Sequence, residues 1–206
     1  MNQEVEISAQ FPVPFLSTTL DISDNTLLSY ESFLKSQDYH HSYNPIPLTV
    51  DQHILERDIF KDLKSQILST SLFYLNKIGF DVNSVEIITS WGVETISENN
   101  SHAHDHSNSF ISGVFYLNEG PDLIFLDPNE KKWWIKSIGL RDDGLETFKW
   151  NNRQICCKPM PKLLIMFPSW MSHQVMCKNQ TKKRFSIAFN IIPKGYFGEL
   201  GNRIKF

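Results

Sequence analysis

His104-Asp105-His106 places two imidazoles two residues apart. On an extended chain side chains alternate with period two, so His104 and His106 share one side and Asp105 points away. A third imidazole, His173, stands far downstream at the end of Phe167-Pro168-Ser169-Trp170-Met171-Ser172. A strand end that presented it to the pair would complete one face of a metal, and imidazole suits iron, zinc, copper and nickel. Just beyond comes Arg184-Phe185-Ser186. Arg184 and Ser186 share a strand face, and a guanidinium with a neighbouring hydroxyl can grip a carboxylate through charge-assisted hydrogen bonds. Together these residues suggest an iron site with an organic co-substrate rather than a structural metal. The ligands must be neutral, so metal binding should weaken below about pH 6, near the reference pKa of histidine.

Each residue also has a plainer explanation. Three histidines in five residues (His102, His104, His106), followed by Ser107-Asn108-Ser109, could be a polar surface loop. A lone His173 after an apolar strand is more often structural than a ligand. In Arg184 to Ile191, Phe185, Ile187, Phe189 and Ile191 make one face, and Arg184, Ser186, Ala188 and Asn190 the other. Such a strand ordinarily turns one face to the core and one to water. In a barrel the second face can line the lumen, where a buried guanidinium needs an anion. Asp127-Pro128 reads most simply as a strand end and turn. The alternative is that a symmetric hairpin sets Asp127 opposite Ser112, as a ligand or as the partner of a histidine's second ring nitrogen.

The elements that must position these groups follow from periodicity. Residues 5–20 read as extended, limited to an edge by Pro12 and Pro14. Ser23 or Asp24 can cap a short helix carrying Leu27, Leu28, Tyr30, Phe33 and Leu34. Apolar residues at helical spacing from Leu55 to Leu68 predict a longer helix that starts near Asp51 and ends at Gly79. From residue 83 the period becomes two, with a strand over Val85–Trp91. Strands at 110–117 and 122–127 read as a hairpin across Asn118-Glu119-Gly120-Pro121. Further strands are expected near 133–139, 146–150, 153–158, 162–167, 173–178 and 182–192. The expected fold class is mainly β (α+β), with helices bracing one side of an antiparallel barrel or sandwich.

Composition sets outer limits. The 206 residues suffice for one domain with a substantial core. Apolar residues make up 41% and aromatics 13%, which is globular rather than disordered composition. A net charge of −3 argues against a nucleic-acid surface. Cys156, Cys157 and Cys177 are odd in number and two are adjacent, a poor disulfide framework that suggests a reducing cytoplasm. No apolar run approaches the roughly 20 residues of a membrane span. No signal peptide is legible at the N-terminus.

With these residues in view, the stretch His104-x-His106-Ser-Asn-Ser-Phe-Ile-Ser-Gly-Val-Phe-Tyr-Leu resembles the H-x-H-P-x-S-x-x-S-G-x-Y-Y pattern of a 2-oxoglutarate/Fe(II)-dependent oxygenase family of marine bacteria and cyanophages. Leu126-Asp127-Pro128, Phe167-Pro168-Ser169-Trp170-x-x-His173 and Arg184-x-Ser186-x-x-x-Asn190 resemble its later motifs, in the same order. Ser107 stands where proline is usual. The likeness spans about residues 83–192. It implies a double-stranded β-helix (a jelly roll or cupin-like barrel) with supporting N-terminal helices. Residues 1–82 would form the extended segment and bracing helices, 83–192 the barrel and 193–206 a tail, all in a single domain over 1–206.

The resemblance also implies the site. His104, His106 and His173 would hold Fe(II) as metal ligands and catalytic centre. Arg184 and Ser186 would bind the distal carboxylate of 2-oxoglutarate, with Asn190 also on the co-substrate; Tyr116, on the His104/His106 face by parity, could contact it or could equally be core. Oxygen would be the third participant, and the activity that of a hydroxylase releasing succinate and CO2. The wider superfamily more often has an acidic residue where His106 stands. Expected partners are a small-molecule or peptide substrate, with no nucleic acid and no membrane, and a homodimer is left open. The expected location is the cytoplasm, of the host cell if the chain is phage-encoded. Two other functions stay in play: a cupin-like three-histidine metal enzyme without 2-oxoglutarate, and a non-catalytic barrel acting as an interaction module. Trp91 and Trp133-Trp134 could border a substrate opening, Arg141-Asp142-Asp143-Gly144 reads as a turn, and Cys156-Cys157 as a strand pair with one thiol buried.

Overall fold

The computed structural model describes residues 12–40, 45–96, 100–128, 154–176, 183–197, 201 and 204–205. The strands expected near 133–139 and 146–150, Trp133-Trp134, the turn at 141–144 and Cys177 lie outside these residues.

The helical region forms where the periodicity predicts, with one boundary moved. Helix α1 spans Asp24–Lys35, and its N-cap is Ser23, whose hydroxyl accepts from the Thr26 amide. Helix α2 spans Lys61–Lys77 rather than starting near Asp51. Two short 3-10 turns, Ile54–Glu56 and Asp58–Phe60, precede it. Asp51 itself accepts from the His53 amide and pairs with Arg57 at 2.7 Å, so its side chain builds a local turn that competes with the helix.

The strands are β1 (Leu16–Thr19), β2 (Tyr39–His40), β3 (Leu48–Thr49), β4 (Ser84–Thr95), β5 (Ile111–Tyr116), β6 (Asp122–Leu126), β7 (Gln154–Cys157), β8 (Leu163–Pro168), β9 (His173–Met176), β10 (Arg184–Lys194), β11 (Tyr196–Phe197) and β12 (Ile204–Lys205). A seven-stranded antiparallel sheet has the order β1-β8-β5-β10-β4-β3-β2, and a three-stranded one the order β7-β6-β9. They form the two walls of a double-stranded β-helix, as expected. No described helix is long and apolar enough to cross a membrane.

The hairpin over 110–127 does not form. β5 pairs with β8 and β10 in the large sheet, whereas β6 pairs with β7 and β9 in the small one. The turn between them crosses from wall to wall, held to the start of β10 rather than to its own flanking strands. Asn118 donates to the Lys183 carbonyl at 2.9 Å and accepts from the Phe185 amide at 2.7 Å. Alternation alone could not separate a local partner from a distant one of the same pattern. Ser112 accordingly stands opposite Asn190 and Phe167, not Asp127.

Both faces of the large sheet are buried. On the outer face, Phe115, Leu164, Phe185, Ile187 and Phe189 pack against Tyr30, Leu34, Leu63 and Ile67 of the helices. On the inner face a second apolar cluster includes Tyr116, Ile165, Phe167, Ala188, Phe125 and Val175. The polar face of β10 therefore meets the lumen rather than bulk water, and Arg184 is 2% exposed. Gly113 is needed here: a Cβ at that position would lie 2.3 Å from the Phe189 ring and 2.9 Å from the Ile165 carbonyl.

Candidate active site

The chain from Ser101 to His106 runs antiparallel along β9. His104 and His173 exchange backbone hydrogen bonds of 3.0 and 2.9 Å, and the Ser101 amide donates to the Val175 carbonyl at 3.1 Å. The His106 amide donates to the Ser169 carbonyl at 2.9 Å. This pairing is what brings residues 67 to 69 positions apart in sequence to one point. One ring nitrogen from each of His104, His106 and His173 lies within 4.8 Å of the other two. The Nε2 atoms of His106 and His173 are 3.3 Å apart. Asp105 is exposed, as the alternation predicts, and so is His102.

Two of the rings are oriented from behind. Nδ1 of His104 lies 2.8 Å from the His102 carbonyl, and Nδ1 of His173 lies 2.9 Å from the Met171 carbonyl. A carbonyl can only accept, so each Nδ1 carries its proton and each Nε2 presents a lone pair to the centre. Burial pushes His106 down to about 4 and His173 down to about 3, with the His104 ring adding to both shifts. Both are thus neutral at physiological pH, the form a metal requires.

A cavity of about 70 Å³ opens onto the triad. That is well above the roughly 10–15 Å³ that a single water needs. His104, His106 and His173 line one end, and Arg184, Ser186 and Tyr116 also face the space. Arg184 Nη1 donates to the Pro121 carbonyl and Nη2 to Thr95 Oγ1 at 3.0 Å, so the β5–β6 turn and the end of β4 hold the guanidinium in place. Gly120 is required for that contact, because a Cβ there would sit 2.6 Å from Arg184 Cβ. The guanidinium lies over the Tyr116 ring, 5.3 Å from its centre. The hydroxyls of Tyr116 and Ser186 are buried without a protein partner. Burial drives the Tyr116 phenol well above its ordinary pKa, so it remains a donor. Two orphaned hydroxyls beside a cation mark a place for an anion with several acceptors.

Asn190 is placed otherwise. Its amide oxygen accepts from Ser112 at 2.8 Å and its nitrogen donates to Thr89 at 3.2 Å, behind the cavity wall. Trp91 borders the cavity with its ring 5.8 Å from that of His106, alongside Ile46, Leu48 and Val93. Among the described residues the metal-capable cluster contains no carboxylate, and Asp127 is not in it. Cys156 is exposed, 3.1 Å from an Asp122 oxygen, and is pushed up to about 11 by burial and by that carboxylate. Cys157 is half-buried and raised too, so both remain thiols rather than reactive thiolates. Sequence reading overlooked Thr95, Pro121 and the orienting carbonyls of His102 and Met171. A backbone acceptor leaves no trace in residue type.

Residues 89–190 match the family model described as "Putative 2OG-Fe(II) oxygenase". The matched span holds the three histidines, Tyr116, Arg184 and Ser186. No curated protein sequence matches the chain. Among solved structures, a prolyl-4-hydroxylase from Pseudomonas putida is similar, with a TM-score of 0.58 and 10% identity over 89% of this chain and 94% of that one. HygX from Streptomyces hygroscopicus, solved with nickel, 2-oxoglutarate and hygromycin B bound, aligns with a TM-score of 0.58 and 11% identity, covering 88% of this chain and 83% of its own. SnoN, an alpha ketoglutarate dependent epimerase from nogalamycin biosynthesis, reaches 0.63 at 8% identity over 92% and 80%. At such identities the likeness is one of fold.

Proposed function

We propose that this chain is an iron(II)- and 2-oxoglutarate-dependent dioxygenase that hydroxylates a small-molecule or peptide substrate, R–H + 2-oxoglutarate + O2 giving R–OH + succinate + CO2. One observation carries the reading: three ring nitrogens converge on a point in the cavity that also contains a buried guanidinium and two orphaned hydroxyls. The residues fit the cofactor on their own chemistry, since imidazole suits iron and the tautomers of His104 and His173 are set for ligation. The matched family and the ligands named with HygX point the same way.

His104, His106 and His173 would hold the metal. Arg184, with the Ser186 and Tyr116 hydroxyls, would bind the distal carboxylate of 2-oxoglutarate. Iron with 2-oxoglutarate and oxygen supplies the oxidative decarboxylation and the hydroxylation coupled to it. The protein contributes position and dryness. Arg184 and the hydroxyls would set the reach of the co-substrate toward the triad, the apolar and aromatic lining would limit water, and Trp91, on the lining beside His106, would border the substrate.

Anaerobic calorimetry tests the proposal. The iron-loaded protein should bind 2-oxoglutarate, and Arg184→Ala should weaken binding by about 10- to 100-fold, the worth of a charge-assisted contact of roughly 1.5–3 kcal/mol. Absence of 2-oxoglutarate binding in the presence of iron sinks the reading. A second reading has one specific observation behind it, the lack of a carboxylate in the described cluster. It is a cupin-like three-histidine enzyme without 2-oxoglutarate, and metal binding indifferent to both 2-oxoglutarate and Arg184→Ala would favour it.

A further inference from the structure

Four polar side chains from three separate sequence segments meet behind the triad, and the proposed reaction uses none of them directly. Ser109 Oγ lies 2.7 Å from Ser169 Oγ, Ser169 Oγ lies 2.9 Å from Ser112 Oγ, and Ser112 Oγ lies 2.8 Å from Asn190 Oδ1. Asn190 Nδ2 then donates to Thr89 Oγ1 at 3.2 Å. Ser112 and Ser169 are buried, 2% and 1% exposed. Asn190 stands at the β4–β10 register shift, where the partner of Asn190 is Thr89 and that of Ile191 is Ile87.

The Asn190 side-chain carbonyl and the Ile111 backbone carbonyl can only accept, so Ser112 donates to Asn190 Oδ1 and Ser109 donates to the Ile111 carbonyl at 3.0 Å. Ser169 Oγ sits between these two hydroxyls and joins them into one polar ladder, whose members polarise one another.

Both ends of the metal site hang on this ladder. Ser109 is three residues beyond His106, and the Ser169 carbonyl accepts from the His106 amide at 2.9 Å. Ser169 also lies in the turn closed by the Met171 amide on the Pro168 carbonyl, and the Met171 carbonyl orients His173 Nδ1. A shift of Ser169 therefore moves the His106 backbone and the acceptor that aims His173 together. We propose that Ser109, Ser169, Ser112 and Asn190 are positioning residues that set the His106–His173 geometry for the metal. This inference rests on the triad being a metal site, and it assigns Asn190 to the ligands rather than to the co-substrate.

The test uses the full chain titrated with Co(II), whose visible absorption reports ligand geometry without turnover. Ser109→Ala and Asn190→Ala should weaken Co(II) binding by about 10-fold or more, as loss of outer contacts does at other metal sites. They should also shift the visible bands. Ser109→Thr, which keeps the hydroxyl, should restore both. Ser71→Ala removes a buried hydroxyl outside the ladder, bonded to the Ile67 carbonyl, and should leave the Co(II) affinity and bands unchanged. Should Asn190→Ala fail to fold, the half-buried Ser109 pair decides alone. Wild-type affinity and bands in Ser109→Ala overturn the ladder's role, whatever happens to thermal stability. Wild-type protein that takes up no Co(II) overturns the triad reading itself, and the ladder's role with it.

Discussion

The two faces of β10 are equally buried and do different things. Toward the helices, Phe185, Ile187, Phe189 and Ile191 belong to an apolar layer held mainly by non-directional packing. Toward the lumen, Arg184 and Ser186 line a small cavity, and Arg184 and Asn190 are held by particular partners. A single strand thus separates a face that stabilises the fold from a face that holds groups ready for a ligand. Burial by itself does not distinguish them; partner chemistry does. Tyr116 and Ser186 show the cost of the second face, each with a buried hydroxyl that the protein does not satisfy.

The largest effect should come from the helix-facing side. Phe189→Ala removes a fully buried ring and should lower unfolding free energy by about 3–5 kcal/mol, measured by urea titration of metal-free protein. An unchanged urea midpoint would mean that this face is not the stabilising one. On the lumen side, His173→Ala should weaken Co(II) or Fe(II) affinity by more than about 100-fold, beyond the loss expected for an outer contact. If equilibrium dialysis finds the affinity retained, the ring is core packing and the two faces are alike.

A pH titration sharpens the contrast. In the unfolded chain histidine protonates near 6.5. In the fold, burial holds His106 down to about 4 and His173 down to about 3. Between these limits the unfolded state binds more protons, so stability is full above about 6.5 and falls as pH drops toward 4 and 3. The urea midpoint of metal-free protein should be lower at pH 5 than at pH 7.5, and the difference should shrink in a His106→Gln/His173→Gln double variant. An undiminished difference in that variant would assign the pH response elsewhere. The smallest effect belongs to neither face: Leu28→Ser, at a position 61% exposed on α1, should change stability by less than about 0.5 kcal/mol.

Much of the site was legible because its signals are periodic. Alternation put His104 and His106 on one side and divided β10 into its two faces, and both divisions stand in the structure. The start of α2 was misplaced because Asp51 makes a side-chain turn that a count of apolar spacing ignores. The hairpin over 110–127 was misread because β5 and β6 each alternate well enough to pair with one another or with strands far away. The same error put Asp127 opposite Ser112. The polar ladder lay within the motif residues, yet no spacing rule says that Ser109, Ser112, Ser169 and Asn190 touch.

Residue types and their intervals were enough to specify which groups could act: three imidazoles, a guanidinium and its neighbouring hydroxyl, on strands of known facing. That much follows from local backbone geometry, which every residue carries with it. Tertiary pairing alone decided that 101–106 lies along β9, that the 118–121 turn clasps Arg184, and that carbonyls of His102 and Met171 aim the rings. Those outcomes depend on which distant strands share hydrogen bonds, and many pairings satisfy the same alternating pattern until the whole core is packed.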